Sequence, residues 1–133
     1  NLFYNLFWIV QNHPHQYVFF NIISKKYSMQ NFDLDWWGVS HKSSLEYILK
    51  SDKNSTIKIY AEGFTSLKDS YLYLDQTNKN RVVIAGFEDA EYVINNNKKR
   101  IRKNNNLNNE HFELFYQLNI DGGNVTSIYK RKN

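Results

Sequence analysis

Apolar residues recur at three- and four-residue spacing through Leu2, Phe3, Leu6, Phe7, Ile9 and Val10, a pattern that predicts a short helix with one apolar face. Pro14 must end it, because proline removes a backbone donor and its ring clashes with the preceding turn. Beyond it, "YVFFNII" (17–23) is a short apolar run that periodicity fits equally to a buried helical turn or a strand. Ser43 and Glu46 stand at capping-box spacing, and Leu45, Ile48 and Leu49 form a stripe ending near Ser51, which predicts a second helix. "STIKIYAEG" alternates Ile57 and Ile59 with Lys58 and Tyr60 and predicts a strand. "TSLKDSYLYL" sets Leu67, Tyr71 and Leu74 at helical spacing, and "RVVIAG" reads as a buried strand bounded by Gly86.

A strand, helix, strand succession implies two parallel strands joined by a right-handed crossover. "AEYVI" adds another short strand, and residues 95–109, "NNNKKRIRKNNNLNN", carry no sustained apolar period and read as a basic loop. "EHFELFYQLNI" and "VTSIYKRK" flank "DGGN", whose Asp and paired Gly supply the positive φ angles of a tight hairpin. The expected fold class is therefore α/β: a single-domain sandwich with a mixed sheet of about four or five strands, helices packed on it, and a C-terminal antiparallel β-hairpin.

Composition agrees with one folded domain spanning 1–133. At this length roughly two thirds of the unfolded surface can be buried, and 41% hydrophobic with 17% aromatic residues excludes disorder as the general state. There is no Cys, so disulfides and Cys-ligated zinc are excluded. The net charge is +4, yet Lys98, Lys99, Arg100, Arg102 and Lys103 alone exceed it, leaving the rest near neutral. Nucleic acid is accordingly not an expected partner, since the run also lacks interleaved aromatics for base stacking. No run approaches the roughly 18 apolar residues of a membrane span. The chain opens at Asn1 without a Met or a targeting segment and reads as a piece of a longer protein.

The densest cluster of chemistry is "NFDLDWWGVS", residues 31–40. In an extended segment Asp33 and Asp35 share one side and Trp36 takes the other. Close carboxylates can bind a cation, share a proton or accept hydrogen bonds from sugar hydroxyls, and an indole offers a stacking face. The structural alternative is ordinary helix capping by an Asp and core burial of both Trp. His13 and His15 flank Pro14 at a spacing that suits a metal, but no carboxylate completes the set, so neither a metal nor a cofactor is expected. No nucleophile elbow and no Gly-rich phosphate motif occurs. Asn54-Ser55-Thr56 is a glycosylation triplet preceded by Asp52, and in an Asn-rich chain chance is a strong rival.

Four segments, "HPHQYVFFN" (13–21), "FDLDWWGVSHKSSLEYIL" (32–49), "AEYVINN" (90–96) and "DGGNVTSIYKR" (121–131), together resemble one family in order and content. They look like the C-terminal extramembrane domain that follows the last spans of bacterial multi-span glycosyltransferases related to the dolichyl-phosphate-mannose mannosyltransferases. The departures are His15 and Phe19 where the family carries Tyr, Asp33 for Glu, Trp36 for Tyr and Glu91 for Asp. The resemblance implies an extracytoplasmic, periplasmic position in a membrane-anchored parent that takes sugar from a polyprenyl-phosphate donor, its catalytic carboxylate lying in an early loop outside this chain. The implied role here is non-catalytic, with the parent's own transmembrane region, a glycan acceptor or the polyprenyl-phosphate carrier as partners. The alternative is a protein-interaction scaffold without a sugar role. The expected ligand contacts are Asp33, Asp35, Trp36, Trp37, His13 and Tyr17. Phe3, Tyr4, Phe7, Trp8, Tyr17, Phe19 and Phe20 crowd the N-terminal end, as an aromatic band at a membrane interface would. A basic loop on the outer face runs against the positive-inside tendency.

Overall fold

The computed structural model describes residues 2–20, 25–63, 65–96 and 111–132. The basic run Lys98 to Lys103 lies outside them. Five strands form one mixed sheet in the order β2-β1-β3-β5-β4. They are β1 (Ile57–Glu62), β2 (Val82–Ile84), β3 (Tyr92–Asn95), β4 (Phe112–Ile120) and β5 (Gly123–Arg131). β1 pairs parallel with β2 and with β3, while β5 pairs antiparallel with β3 and β4. The parallel unit and the C-terminal hairpin expected from the sequence are thus both present.

The hairpin turn is Asp121-Gly122, with φ of 54° and 87°, so Ile120 pairs directly with Gly123. Positive φ at both central residues gives the turn whose twist matches that of the strands. Lys25 forms an ion pair with Asp121 and ties helix α2 (Lys25–Asn31) to this turn. That helix carried no apolar period and was not expected.

One sheet face carries Ile57, Ile59, Val82, Tyr92, Ile94 and Ile128, all buried. Against it pack Leu45, Ile48 and Leu49 of α3 (Ser40–Ser51) and Leu67 of α4 (Leu67–Leu72). Each such side chain contributes about 1.5–3 kcal/mol by leaving water. A bulge at Phe115, between the pairs Leu114 with Tyr129 and Tyr116 with Ile128, turns two successive rings to this face. Tyr47 of α3 stacks on Tyr116 at 3.8 Å and meets Phe115 edge-on. On the opposite face Ala90, Val93 and Phe112 form a smaller core, and Arg131 sits over Phe112 while donating to the carbonyls of Phe87, Glu88 and Ala90.

Two helices differ from their sequence reading. The stretch around Leu67, Tyr71 and Leu74 is interrupted after Leu72, because Asp75 accepts from the Asn78 N–H and starts the short α5 (Gln76–Lys79). A local cap outweighed apolar spacing. The helix through Leu49 starts at Ser40, just after Gly38, and Ser43, despite its capping-box spacing to Glu46, is not its cap.

The N-terminal helix α1 (Leu2–Gln11) forms where expected. Its predicted apolar face does not meet a core. Only Trp8 is buried, packing edge-on against Phe19 beside Val18, Leu34, Ile120 and Val125. Leu2, Phe3, Tyr4, Leu6, Phe7, Ile9 and Val10 are all exposed, Phe3 to 86%. "YVFFNII" contributes a single 3-10 turn, Gln16–Val18, its last residues lying outside the described part.

Candidate functional site

Residues 32–39 are neither strand nor helix but a succession of bends and turns. Within them Asp35 is wholly buried while Asp33 is half-buried, so the two carboxylates do not share one exposed side as an extended segment would place them. The Asp35 carboxylate accepts from the N–H groups of Val39, at 2.9 Å, and Ser40, at 3.1 Å, and from the Ser40 hydroxyl. These N–H groups are orphan donors of the first turn of α3, and a carboxylate there also faces the positive end of the helix dipole. Asp35, not Ser43, therefore starts α3.

Other chain segments converge on the same point. The Tyr17 phenol stands beside Asp35, and burial followed by the Asp35 charge pushes it far above its ordinary value, keeping it protonated. His15 Nδ1 lies 3.0 Å from the Tyr17 oxygen. On the other side of the ring, His15 Nε2 lies 3.4 Å from Ser43 Oγ. The Asn96 amide donates to the Asp35 carbonyl at 3.0 Å, and Leu34 packs where a Cβ on Gly123 would come within 2.7 Å of its Cδ1. Segments 13–21, 32–49, 90–96 and 121–131 thus meet around Leu34 and Asp35.

His15 is buried, and desolvation holds its pKa below the ordinary 6.5, the Asp35 charge opposing this and His13 assisting. A depressed histidine favours the neutral form in the fold. Its stabilising contribution is present above 6.5 and is lost as pH falls through that value toward the folded pKa. Unfolding free energy is expected to drop between pH 7.5 and 5.5 with a slope of at most about 1.4 kcal/mol per pH unit from this group. Urea titrations of wild type and His15→Gln measure it; parallel pH dependences would show that His15 does not contribute.

Beside this buried network opens a cleft of about 500 Å³. It lies between the first turns of α3 and α4, with the His13-Pro14 loop on its rim. Lys42, Ser43 and Glu46 line it from α3, Asp69 and Ser70 from α4, and Trp37 and Tyr73 from the turns beside those helices. Trp37 is 75% exposed and Tyr73 76% exposed. Gly38, at φ +71°, carries the chain from Trp37 into α3, and a Cβ there would lie 2.3 Å from Thr65 Oγ1.

Of the six residues singled out from the sequence, the cleft takes Trp37 and His13. Asp35 is buried as the start of α3, Tyr17 stands beside it but is exposed, and Asp33 and Trp36 lie outside the cleft lining, with Trp36 half exposed. Neither Trp of the pair is a core residue. Tyr73, Asp69, Lys42 and Glu46 were not singled out. The available signal was their position off the Leu67, Tyr71, Leu74 and Leu45, Ile48, Leu49 stripes, which places them on the outer sides of α3 and α4. Asn54 is exposed in the loop between α3 and β1, where the Asp52 carboxylate accepts from the Asn54 N–H and the Tyr92 hydroxyl. Although burial opposes it, these bonds and the charges of Lys130 and Arg81 hold Asp52 below the ordinary carboxylate range. Among the described residues no group of three or more His, Asp or Glu is placed to hold a metal ion, and no helix is long and apolar enough to cross a membrane. No family model, curated protein or solved structure matches the chain.

Proposed function

We propose that this chain is a non-catalytic, extracytoplasmic domain of a membrane glycosyltransferase that uses a polyprenyl-phosphate-linked sugar, seated against the outer membrane surface through α1. The observation that carries the membrane contact is α1 itself. It contains no charged residue, and its seven exposed apolar side chains sweep roughly 220° of the helix surface at 100° per residue. A helix that docks in a protein groove shows an apolar stripe of about 100° or somewhat more. An arc twice that width is matched by acyl chains, which surround a helix rather than line one side of it. Isolated helices of this length are marginal in water, and within the described chain only Trp8 anchors α1.

The sugar part of the reading is supported by the ordered resemblance of four segments and by their convergence on Asp35, next to a cleft with exposed aromatic rings. The scaffold alternative draws on a second apolar feature, the exposed Tyr27 and Phe32, paired edge-on at 6.3 Å. The width of the α1 arc favours lipid over a protein groove.

In flotation with phosphatidylcholine vesicles the chain is expected to rise with the lipid and to stay there at high salt, because the contact is apolar. Phe3→Asp/Phe7→Asp is expected to remain behind with an unchanged melting temperature, both rings being solvent-facing. Failure of the wild-type chain to float would sink the membrane contact. The enzymatic part is read separately, by incorporation of label from a polyprenyl-phosphate sugar in membranes bearing the whole protein; no incorporation would overturn it.

A further inference from the structure

We infer that the cleft between α3 and α4 binds a neutral saccharide, with Trp37 and Tyr73 as its stacking platforms. In a soluble domain of this size large aromatic rings normally lose most of their surface on folding. These two keep three quarters of theirs and line the same cavity. A volume of about 500 Å³ falls within the range of about 300–1,000 Å³ of small-molecule sites. The apolar C–H face of a pyranose is the complement of an exposed indole or phenol ring, and its rim of hydroxyls needs both donors and acceptors. The cleft supplies both. Lys42 donates, Glu46 and Asp69 accept, and the Ser43 hydroxyl, 3.4 Å from His15 Nε2, offers an acceptor oxygen.

Charge selects among sugar-bearing ligands. Glu46 lies 3.7 Å from Lys42 and neutralises it, which leaves Asp69 as the unbalanced charge of the lining. A phosphate would meet net negative potential and no guanidinium, whereas an uncharged glycan would meet neither obstacle. The cleft therefore suits an acceptor glycan rather than the phosphate headgroup of the carrier. That last step, from saccharide to acceptor, rests on the glycosyltransferase reading; the saccharide chemistry belongs to the cleft alone.

The test is a titration of the isotope-labelled chain with mannotriose, N,N′-diacetylchitobiose and inorganic phosphate, followed by NMR. At least one saccharide is expected to move the Trp37 indole N–H, with a dissociation constant in the millimolar range, and to leave the buried Trp8 indole still. Trp37→Ala and Tyr73→Ala, read on the Ser43 and Ser70 amides, are each expected to weaken binding about tenfold, as loss of one stacking ring would. Both side chains are exposed, so the variants should melt with the wild type, and either one alone suffices for the comparison. Silence to both saccharides overturns the inference. So does a response to phosphate alone, which would assign the cleft to a carrier headgroup. Sugar transfer by the whole membrane protein without saccharide binding would remove the cleft's role and leave the function standing; saccharide binding without transfer would do the reverse.

Discussion

Asp35→Ala is expected to lower the unfolding free energy by about 3 kcal/mol or more, and the melting temperature by on the order of 10 °C for a chain of this length. Loss of a helix cap accounts for about 0.5–2 kcal/mol of this. The larger share comes from what is left behind. Without the carboxylate, the N–H groups of Val39 and Ser40 and the Ser40 hydroxyl lose their acceptor, the two Ser40 donors in a buried place. Each buried donor stranded in this way costs about 1–3 kcal/mol. Asp35→Asn keeps one acceptor oxygen but turns an amide N–H toward a backbone donor, so an intermediate loss is expected. Urea unfolding of the three proteins measures the series. Trp37→Ala provides the contrast, since an exposed side chain away from caps and networks usually changes stability by no more than about 0.5 kcal/mol. A loss under about 1 kcal/mol for Asp35→Ala would mean that its carboxylate is not committed to the fold and is available to a ligand.

Gly38→Ala is the second large effect expected, about 3 kcal/mol, from two additive causes. At φ +71° a side-chain-bearing residue is strained by about 1–2 kcal/mol. Its Cβ would also press on Thr65, 2.3 Å from Oγ1 and 2.9 Å from Cβ, and overpacking of this kind adds about 1–3 kcal/mol. The hairpin supplies an internal control. Gly122 has φ +87°, but a Cβ there would meet no heavy atom within 4 Å. Gly122→Asn, which replaces glycine by the residue that best tolerates this backbone region, should cost well under 1 kcal/mol. Thr65 Oγ1 is buried without a hydrogen-bond partner, so Thr65→Ala should be mild alone and should recover part of the Gly38→Ala loss in the double variant. Equal melting temperatures for Gly38→Ala and Gly122→Asn would show that the turn can relax away from Thr65, and with it the wall of the cleft.

The candidate site was half visible in the chain. "NFDLDWWGVS" stood out because it packs paired carboxylates and adjacent indoles together, and the structure places Asp35 at the buried start of α3 and Trp37 on the cleft. Which Asp would be consumed by capping was not readable, because an extended segment puts Asp33 and Asp35 on one side and the actual turns bury only the second. Ser43 and Glu46 had the spacing of a capping box, yet the carboxylate five residues before Ser40 reaches the helix N-terminus and takes the role. Tyr73 and Asp69 escaped notice for a simpler reason. A cleft is a relation between two helices, and nothing within α4 states that its outer side will face the start of α3.

Short-range physics was enough for β1 and for the existence of β2, though β2 is an edge strand with Val83 and Ile84 exposed rather than the buried strand its apolar run implied, and for the hairpin, where Asp121-Gly122 selects the turn and the turn sets the register. It was enough for the existence of α1 and α3, since 3.6-residue periodicity is a property of the segment alone. Tertiary structure decided everything that depends on a competing partner: the cut between α4 and α5 at the Asp75 cap, the burial of Asp35 under Tyr17, Ser40 and Asn96, and the exposure of α1. An apolar stripe says that a face avoids water, not what covers it. In α1 the protein's own core takes only Trp8, and the remaining apolar arc stays open on its surface.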